Sequence, residues 1–484
     1  MPIAREQRGV DTVPDRERTS TPRDLVSILL GSNLALGVVI FGWLPVSFGL
    51  GLWASVSALV AGTLVGTLLT APLALVSLRT GTNLSTSSGA HFGVRGRLIG
   101  SVIGLLLSLG YTALTLWVGG DAVVGVLARL FGLPADGWAY AVVYALLAGC
   151  TAVGAVYGYR LLLRLSRVLA VGMTLLLTAG LIAYADGFTT AAPAGGPALG
   201  GFWQTWLLAA VSAGLSGPIA FITLLGDYTR YISPRRHSSR AVFWATCAGL
   251  VAGLLIPQLF GTFTALAVGA GADYAGPLVA GSPLWYLPPL LLAASAGSVG
   301  NAGLMLYSMG LDLDAIVPRA TRAQATCAVA AVSTAFVYLG HFAWDAQEAM
   351  TSFVLLLTAV GTPWAVITVF GFLRCGGDYD AEALQVYNQR SRGGRYWYRA
   401  GWQPRATAAW ALGAAVGLTA VDTPVYSGVL VRWTGGIDVS FLLSAAVAAG
   451  GYAALTARDP RPVAPLRARV AAVPAAGAEP AEAP

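Results

Sequence analysis

Apolar runs and arginines alternate along this chain in a way that leaves few folds open. All 29 basic residues of the 484 are arginines, and 27 of them fall before the first apolar run, after the last, or in every second gap between. Arg5, Arg8, Arg16, Arg18 and Arg23 precede run one; Arg79, Arg95 and Arg97 lie between runs two and three; Arg160, Arg164 and Arg167 between four and five. The pattern continues through the gaps after runs six, eight and ten and into the tail, and only Arg129 and Arg432 break it. Cytoplasmic loops of membrane proteins retain Lys and Arg, so the alternation predicts a multi-pass protein of the plasma membrane with both termini in the cytoplasm.

The runs have the necessary length. A spanning helix takes about 20 apolar residues at about 1.5 Å each. Twelve stretches qualify: 25–50, 52–78, 98–131, 138–157, 160–184, 203–225, 241–269, 283–316, 323–341, 349–373, 405–421 and 437–456, numbered below as spans one to twelve. Helices are expected throughout, because backbone groups in lipid must be satisfied within their own segment. The expected fold class is therefore an all-α polytopic membrane protein of twelve transmembrane helices.

The net charge of +7 is dispersed over loops and does not predict a nucleic-acid surface. Residues 1–24 are polar, carry Pro14 and Pro22 and lack the apolar core of a signal peptide, so they read as a cytoplasmic tail. Cys150, Cys247, Cys327 and Cys375 are scattered and read as small apolar filler rather than a disulfide or metal site. No nucleophile–base pair or ligand cluster suggests an enzyme, no cofactor is expected, and nothing points to an obligate protein partner.

Two spans are interrupted. Span one carries Gly31-Ser32-Asn33, Gly37, Gly42 and Pro45; span six carries Gly214, Ser216, Gly217 and Pro218. Glycine loosens a turn and proline removes an intrahelical hydrogen bond, so both helices should be kinked or unwound. They open two consecutive five-span blocks, 25–184 and 203–373, and the odd number of spans makes the second block run in the opposite sense. Corresponding interruptions in two inverted halves point to a midplane binding site. Segment 374–404 reads as a cytoplasmic loop, spans eleven and twelve (405–456) as packing helices outside the repeat, and 457–484 as a disordered cytoplasmic tail.

Two intramembrane groups could recognise a ligand. Trp117 and Asp121 lie one turn apart on span three and offer a flat π surface beside a carboxylate. Asn301 on span eight both donates and accepts, as reading the edge of a heterocycle requires. An outer-end carboxylate meeting water and a helix–helix amide bond are the plainer readings of Asp121 and Asn301.

An ordered set of segments carries a resemblance: Gly31 through Gly51 in span one, Ala90 through Gly96 in the next inner loop, Gly226-Asp227-Tyr228-Thr229-Arg230-Tyr231 at the end of span six, Asn301 through Ser308, Thr362-Pro363-Trp364, Tyr396–Trp402 and Gly435 through Ser440. Together they resemble the purine–cytosine permeases of the nucleobase:cation symporter family over nearly the whole membrane part. The resemblance implies a LeuT-type five-plus-five inverted repeat with two additional C-terminal helices. It implies import of a small planar heterocycle together with a proton or sodium ion by alternating access. The substrate positions it implies are Ser32, Asn33, Trp117, Asp121, Gly217, Pro218, Ala220, Phe221 and Asn301. Two depart from the family pattern. Asp121 stands where a Gln, Asn or Glu is usual, and Pro218 stands where an aromatic is usual, with Phe221 able to compensate. For the cation it implies the carbonyls of Gly31 and Leu34 with hydroxyls of span eight. Ser295-Ala296 supplies one hydroxyl of the expected pair and Ser298 lies near, so proton coupling through Asp121 competes with a sodium site. A hydantoin, allantoin, vitamin-precursor pyrimidine or amino acid is the alternative cargo, and a non-transporting membrane sensor the alternative function.

Overall fold

The computed structural model describes residues 9–457 apart from 272, 318–321, 344–345, 424 and 435–436, and the side chains of 322 and 346–351 also fall outside the description. The proposed disordered tail beyond 457, the Gly435-Gly436 step, Arg5, Arg8 and Arg319 lie outside the described residues. Within them the chain is helical, with only isolated β-bridges.

All twelve runs are helical. Eight form single helices long and apolar enough to cross a membrane: Leu52–Thr80, Leu98–Phe131, Gly137–Tyr157, Tyr159–Ala183, Ser239–Val268, Leu284–Ile316, Ala323–Phe342 and Ser352–Cys375. Span one is two helices, Pro22–Asn33 and Leu36–Ser47, set at 65°. Spans eleven and twelve are Pro404–Ala420 and Ser440–Thr456, of 17 residues each, at the short end of what a bilayer accepts.

Span one starts on a reciprocal cap, in which Thr21 Oγ1 accepts from Asp24 N and the Asp24 carboxylate accepts from Thr21 N. It breaks where Ala35 turns to extended geometry and donates its N–H to the Asn33 carbonyl at 2.8 Å. Span six breaks more gradually. A helix at Phe202–Ala209 widens to a π-helical turn at Ala210–Leu215, tightens at Ser216–Ile219, and resumes at Leu225–Thr229 after a turn. Pro218 has no N–H to give the preceding turn. Thr63 Oγ1 donates to the Gly214 carbonyl at 3.2 Å instead, and Gln258 Nε2 donates to Ala213 at 3.0 Å.

Packing repeats between the two blocks. Span one lies on span seven as span six lies on span two. Span four lies on span eight as nine lies on three, span five on eight as ten on three, and spans three and eight pack most extensively of all. Exchanging each helix for the one five places on preserves the neighbours, as an inverted repeat requires. Glycines bring some backbones very close: a Cβ on Gly42 would lie 1.7 Å from the Gln258 carbonyl oxygen, and one on Gly31 1.8 Å from that of Ser166. Small residues at such crossings let membrane helices approach.

The arginine-bearing segments gather at one end. Residues 9–20 lie across it as a strap: Val13 N donates to the Gly81 carbonyl at 2.8 Å, Thr82 Oγ1 to Val10 at 2.6 Å, Gln385 Nε2 to Val10 at 3.2 Å and Ser20 N to Tyr231 at 3.0 Å. This part of the expected tail is therefore packed. The arginines also do more than anchor, since Arg18, Arg97 and Arg230 are buried. Arg18 donates to the carbonyls of Arg230 and Leu78, Arg97 to Thr86 and Asn388, and Arg230 to the Gly9 carbonyl and the hydroxyls of Tyr231 and Tyr307. Loss of water around the guanidinium holds Arg18 down to about 10, which still leaves it charged at neutral pH.

Candidate substrate and ion site

The two broken helices meet spans three, seven and eight around a cavity lined by Asn33, Gly37, Val38, Phe41, Tyr111, Thr115, Gly217, Ala220, Phe221, Leu254, Gln258, Asn301 and Met305. Its volume is about 20 Å³, room for roughly a single water. Admitting a ring therefore requires the walls to part. One side is aromatic, with Phe41 and Tyr111 at a centroid distance of 6.0 Å and Phe221 beside them.

The polar side is a relay of three side chains. Thr115 Oγ1 donates to Asn301 Oδ1 at 2.8 Å, Asn301 Nδ2 donates to Asn33 Oδ1 at 3.4 Å, and Asn33 Nδ2 donates to the Leu29 carbonyl at 2.7 Å. The relay ties spans three, eight and one together at the break. Tyr111 Oη reaches the Ser216 carbonyl of the other broken helix at 3.1 Å. Each of these polar atoms is buried and offers the paired donor and acceptor edge that an amide-like heterocycle presents.

Of the substrate positions inferred from sequence, Asn33, Gly217, Ala220, Phe221 and Asn301 line this cavity; four do not. Ser32 bonds back to the Ile28 carbonyl in its own helix. Pro218 faces span two, where a Cβ on Gly66 would touch its ring at 3.0 Å. Trp117 sits roughly 200° around the helix from Thr115 at about 100° per residue, which carries it to another face. It packs there beside Tyr144 and Val337. Asp121 shares that face: it accepts from Tyr144 Oη and lies 3.5 Å from His341 Nδ1, between spans three, four and nine.

The oxygens expected to hold a cation are also separated. Gly31 is pressed against the Ser166 carbonyl. Gly297 of span eight packs against the break, where a Cβ would lie 3.2 Å from the Leu34 carbonyl oxygen. Ser298 points instead at Gly119 of span three, and Ser295 turns back to the Leu291 carbonyl at 2.7 Å on a more exposed flank. Neither hydroxyl faces the break in span one.

Sequence reasoning passed over Tyr111, Thr115, Gln258 and Thr63. A signal existed for the first two, an aromatic and a hydroxyl one turn apart in the middle of an apolar helix. Gln258 follows Pro257 deep in span seven, where an amide is conspicuous against its apolar neighbours.

The family described as permeases for cytosine/purines, uracil, thiamine and allantoin matches residues 12–444. The putative purine-cytosine permease YxlA of Bacillus subtilis (strain 168) is 25% identical over 457 residues, 91% of this chain and 94% of that protein. Among solved structures, the nucleobase-cation-symport-1 transporter Mhp1, closed with bromovinylhydantoin bound, superposes with a TM-score of 0.72 at 17% identity, over 94% of this chain and 96% of that one. A Na+-coupled sialic acid symporter in an outward-open state gives 0.56 at 15% identity, over 93% of each chain. With the broken helices, the exchanged packing and the enclosed polar relay all in place, this chain belongs to the family of permeases for cytosine/purines, uracil, thiamine and allantoin.

Proposed function

We propose that this permease imports a nucleobase or a closely related planar heterocycle into the cytoplasm, coupled to a cation, by alternating access in the plasma membrane. The observation that carries the reading is the Thr115–Asn301–Asn33 relay, set between both helix breaks and faced by Tyr111 and Phe221. Aromatic faces hold a flat ring and the amides read its edge. The arginine-rich end is assigned to the cytoplasm by the positive-inside rule, and the strap over it closes the inner side. Uptake then needs spans one and six to move against spans three and eight, so that the strap releases as the outer side shuts. Asn33 and Asn301 stay central in this reading. Trp117 and Asp121 become supports of the scaffold, and Ser295 and Ser298 are left out of the cation site.

The test is uptake into proteoliposomes across a panel of cytosine, uracil, adenine, hypoxanthine and allantoin. At least one should accumulate, and Asn301→Ala should cut that uptake by about tenfold or more, the loss of about 1.4 kcal/mol or greater. Asn301→Ala must remain folded and at normal abundance for the comparison. Unchanged uptake in that variant would remove the cavity as the binding site. No uptake of any member would turn the reading to another cargo.

A further inference from the structure

From the cavity toward the arginine-rich end runs a buried lane in which polar side chains recur, interrupted by Met305 and Gly104. On span eight Asn301, Met305, Ser308 and Asp312 fall at i, i+4, i+7 and i+11 and so share one helix face. Thr115, Tyr111, Ser108, Gly104 and Ser101 share a face of span three in the same way, running in the same direction. The two helices pack along their length. The hydroxyls of Ser101 and Ser108 are buried with no hydrogen-bond partner among the described residues. On the span-eight side, Ser308 Oγ and Tyr228 Oη lie 3.2 Å apart between the cavity and Asp312.

The lane ends at Asp312, a carboxylate 3% exposed. It accepts one hydrogen bond, from Ser85 Oγ at 2.7 Å, and has no ion pair among the described residues. The absence of a side chain at Gly104 lets the carboxylate pack directly against the backbone of span three. A Cβ there would lie 2.1 Å from Asp312 Oδ2 and 2.9 Å from Thr223 Oγ1. Thr223 is 2% exposed, and its hydroxyl, aimed at this point, has no hydrogen-bond partner among the described residues. The charged group that Asp312 senses is another carboxylate, Asp227 of span six. Arg97 and Arg230, the cations on the neighbouring elements, donate to other groups as described above. Span three contributes Gly104 to this spot, and the short helix Leu84–Ser87 contributes Ser85, neither of them ionisable. Burying a carboxylate as the anion without a paired cation is costly.

We propose that Asp312 is the binding site of the coupling proton, an inference that rests on the transport reading above. While the cavity is open to the outside, a proton passes along the hydroxyls and forms an O–H bond with the Asp312 carboxylate. When span six parts from span eight at the inner end, cytoplasmic water reaches the acid and takes the same proton, leaving the carboxylate. One proton thus enters with each substrate.

The experiment uses the full chain in proteoliposomes with the panel above. In the wild type an inward proton gradient should drive accumulation severalfold above equilibrium and a sodium gradient alone should not. Asp312→Asn mimics the protonated acid, so it should keep exchange of labelled for unlabelled substrate within about twofold and accumulate to a ratio of about one. Asp312→Glu should restore part of the accumulation. An Asp312→Asn protein that still accumulates with a proton gradient, one that loses exchange and accumulation together while folded, or a wild type driven by sodium alone would each overturn the proposal. A readout independent of cargo separates its failure from that of the transport reading. Infrared spectra of the wild type at neutral pH should carry a protonated-carboxyl band that Asp312→Asn removes, and the absence of that band would overturn the proposal even if no substrate were found.

Discussion

Tyr159 of span five and Tyr231 at the inner end of span six stack face to face, with centroids 4.4 Å apart and planes within 10°. Ser20 of the strap joins the same point, its Oγ 3.0 Å from Tyr159 Oη. One stack and one strap therefore hold the inner ends of spans five and six together. The same segment continues to Arg18, which pins the strap to the carbonyls of Arg230 and Leu78.

Arg18→Ala should weaken that closure and favour the inward-open state. Charge-assisted bonds of this kind are worth about 1.5–3 kcal/mol each. Reaction of an Ala220→Cys reporter with a membrane-impermeant thiol reagent applied from the inner side should rise by about tenfold. No rise would mean that the strap is not part of the inner closure.

Acid should release the strap at a second point. Ser233 Oγ donates to the Asp15 carboxylate at 2.6 Å, and with Arg235, Arg18 and Arg236 nearby this holds Asp15 below its usual value. A depressed carboxylate stabilises the folded arrangement above the unfolded value of 3.8, and that contribution disappears as pH falls through the lower folded one. A spin label on Asp11→Cys should become mobile below about pH 4. With Asp15→Asn in addition, its mobility should be high already at neutral pH and no longer respond to acid.

Gln258→Leu tests the stitching of the span-six break. It leaves the Ala213 carbonyl without its donor, at about 1–3 kcal/mol for a buried unsatisfied group. Thermal unfolding in detergent should begin several degrees lower, and heterocycle uptake should fall by more than the loss of folded protein. Unfolding and uptake both at wild-type levels would show that the break holds without the amide.

Span three separates cavity from scaffold within a single helix. Tyr111→Ala should raise the KM for the transported heterocycle by about tenfold, since an aromatic wall is worth on the order of 0.5–1.5 kcal/mol beyond its buried area. Asp121→Asn should leave KM within about twofold, because that side chain faces Tyr144 and His341. The reverse ranking would return the site to the Trp117–Asp121 face.

Close approach makes a fifth, purely structural prediction. Gly42→Ala would drive a methyl into the Gln258 carbonyl, a backbone atom that cannot rotate away. Overpacking of this kind costs about 1–3 kcal/mol. Folded yield should fall sharply, measured by size-exclusion chromatography of the detergent-solubilised protein.

The all-helical fold, the two breaks and the resemblance to a permease family were legible because each rests on local chemistry: apolar length, proline and glycine, arginine in alternate loops. The site was half legible. Asn33, Gly217, Ala220, Phe221 and Asn301 sit next to the signals that mark the breaks. Trp117 was misread because a turn-to-turn pair identifies a shared face without saying what that face meets. The rotation of span three, set by its contact with span eight, turns Tyr111 and Thr115 inward instead. Buried arginines escaped for a related reason: charge pattern locates a loop but not the carbonyls and hydroxyls that fold over it.

The Thr63–Gly214 and Gln258–Ala213 bonds have a consequence for how such a carrier can diversify. They belong to the hinge, whereas Thr115 and Met305 border the cavity from helices outside it. Thr115 and Met305 can therefore be exchanged without touching either hinge bond, which leaves spans three and eight free to vary while the hinge is inherited intact.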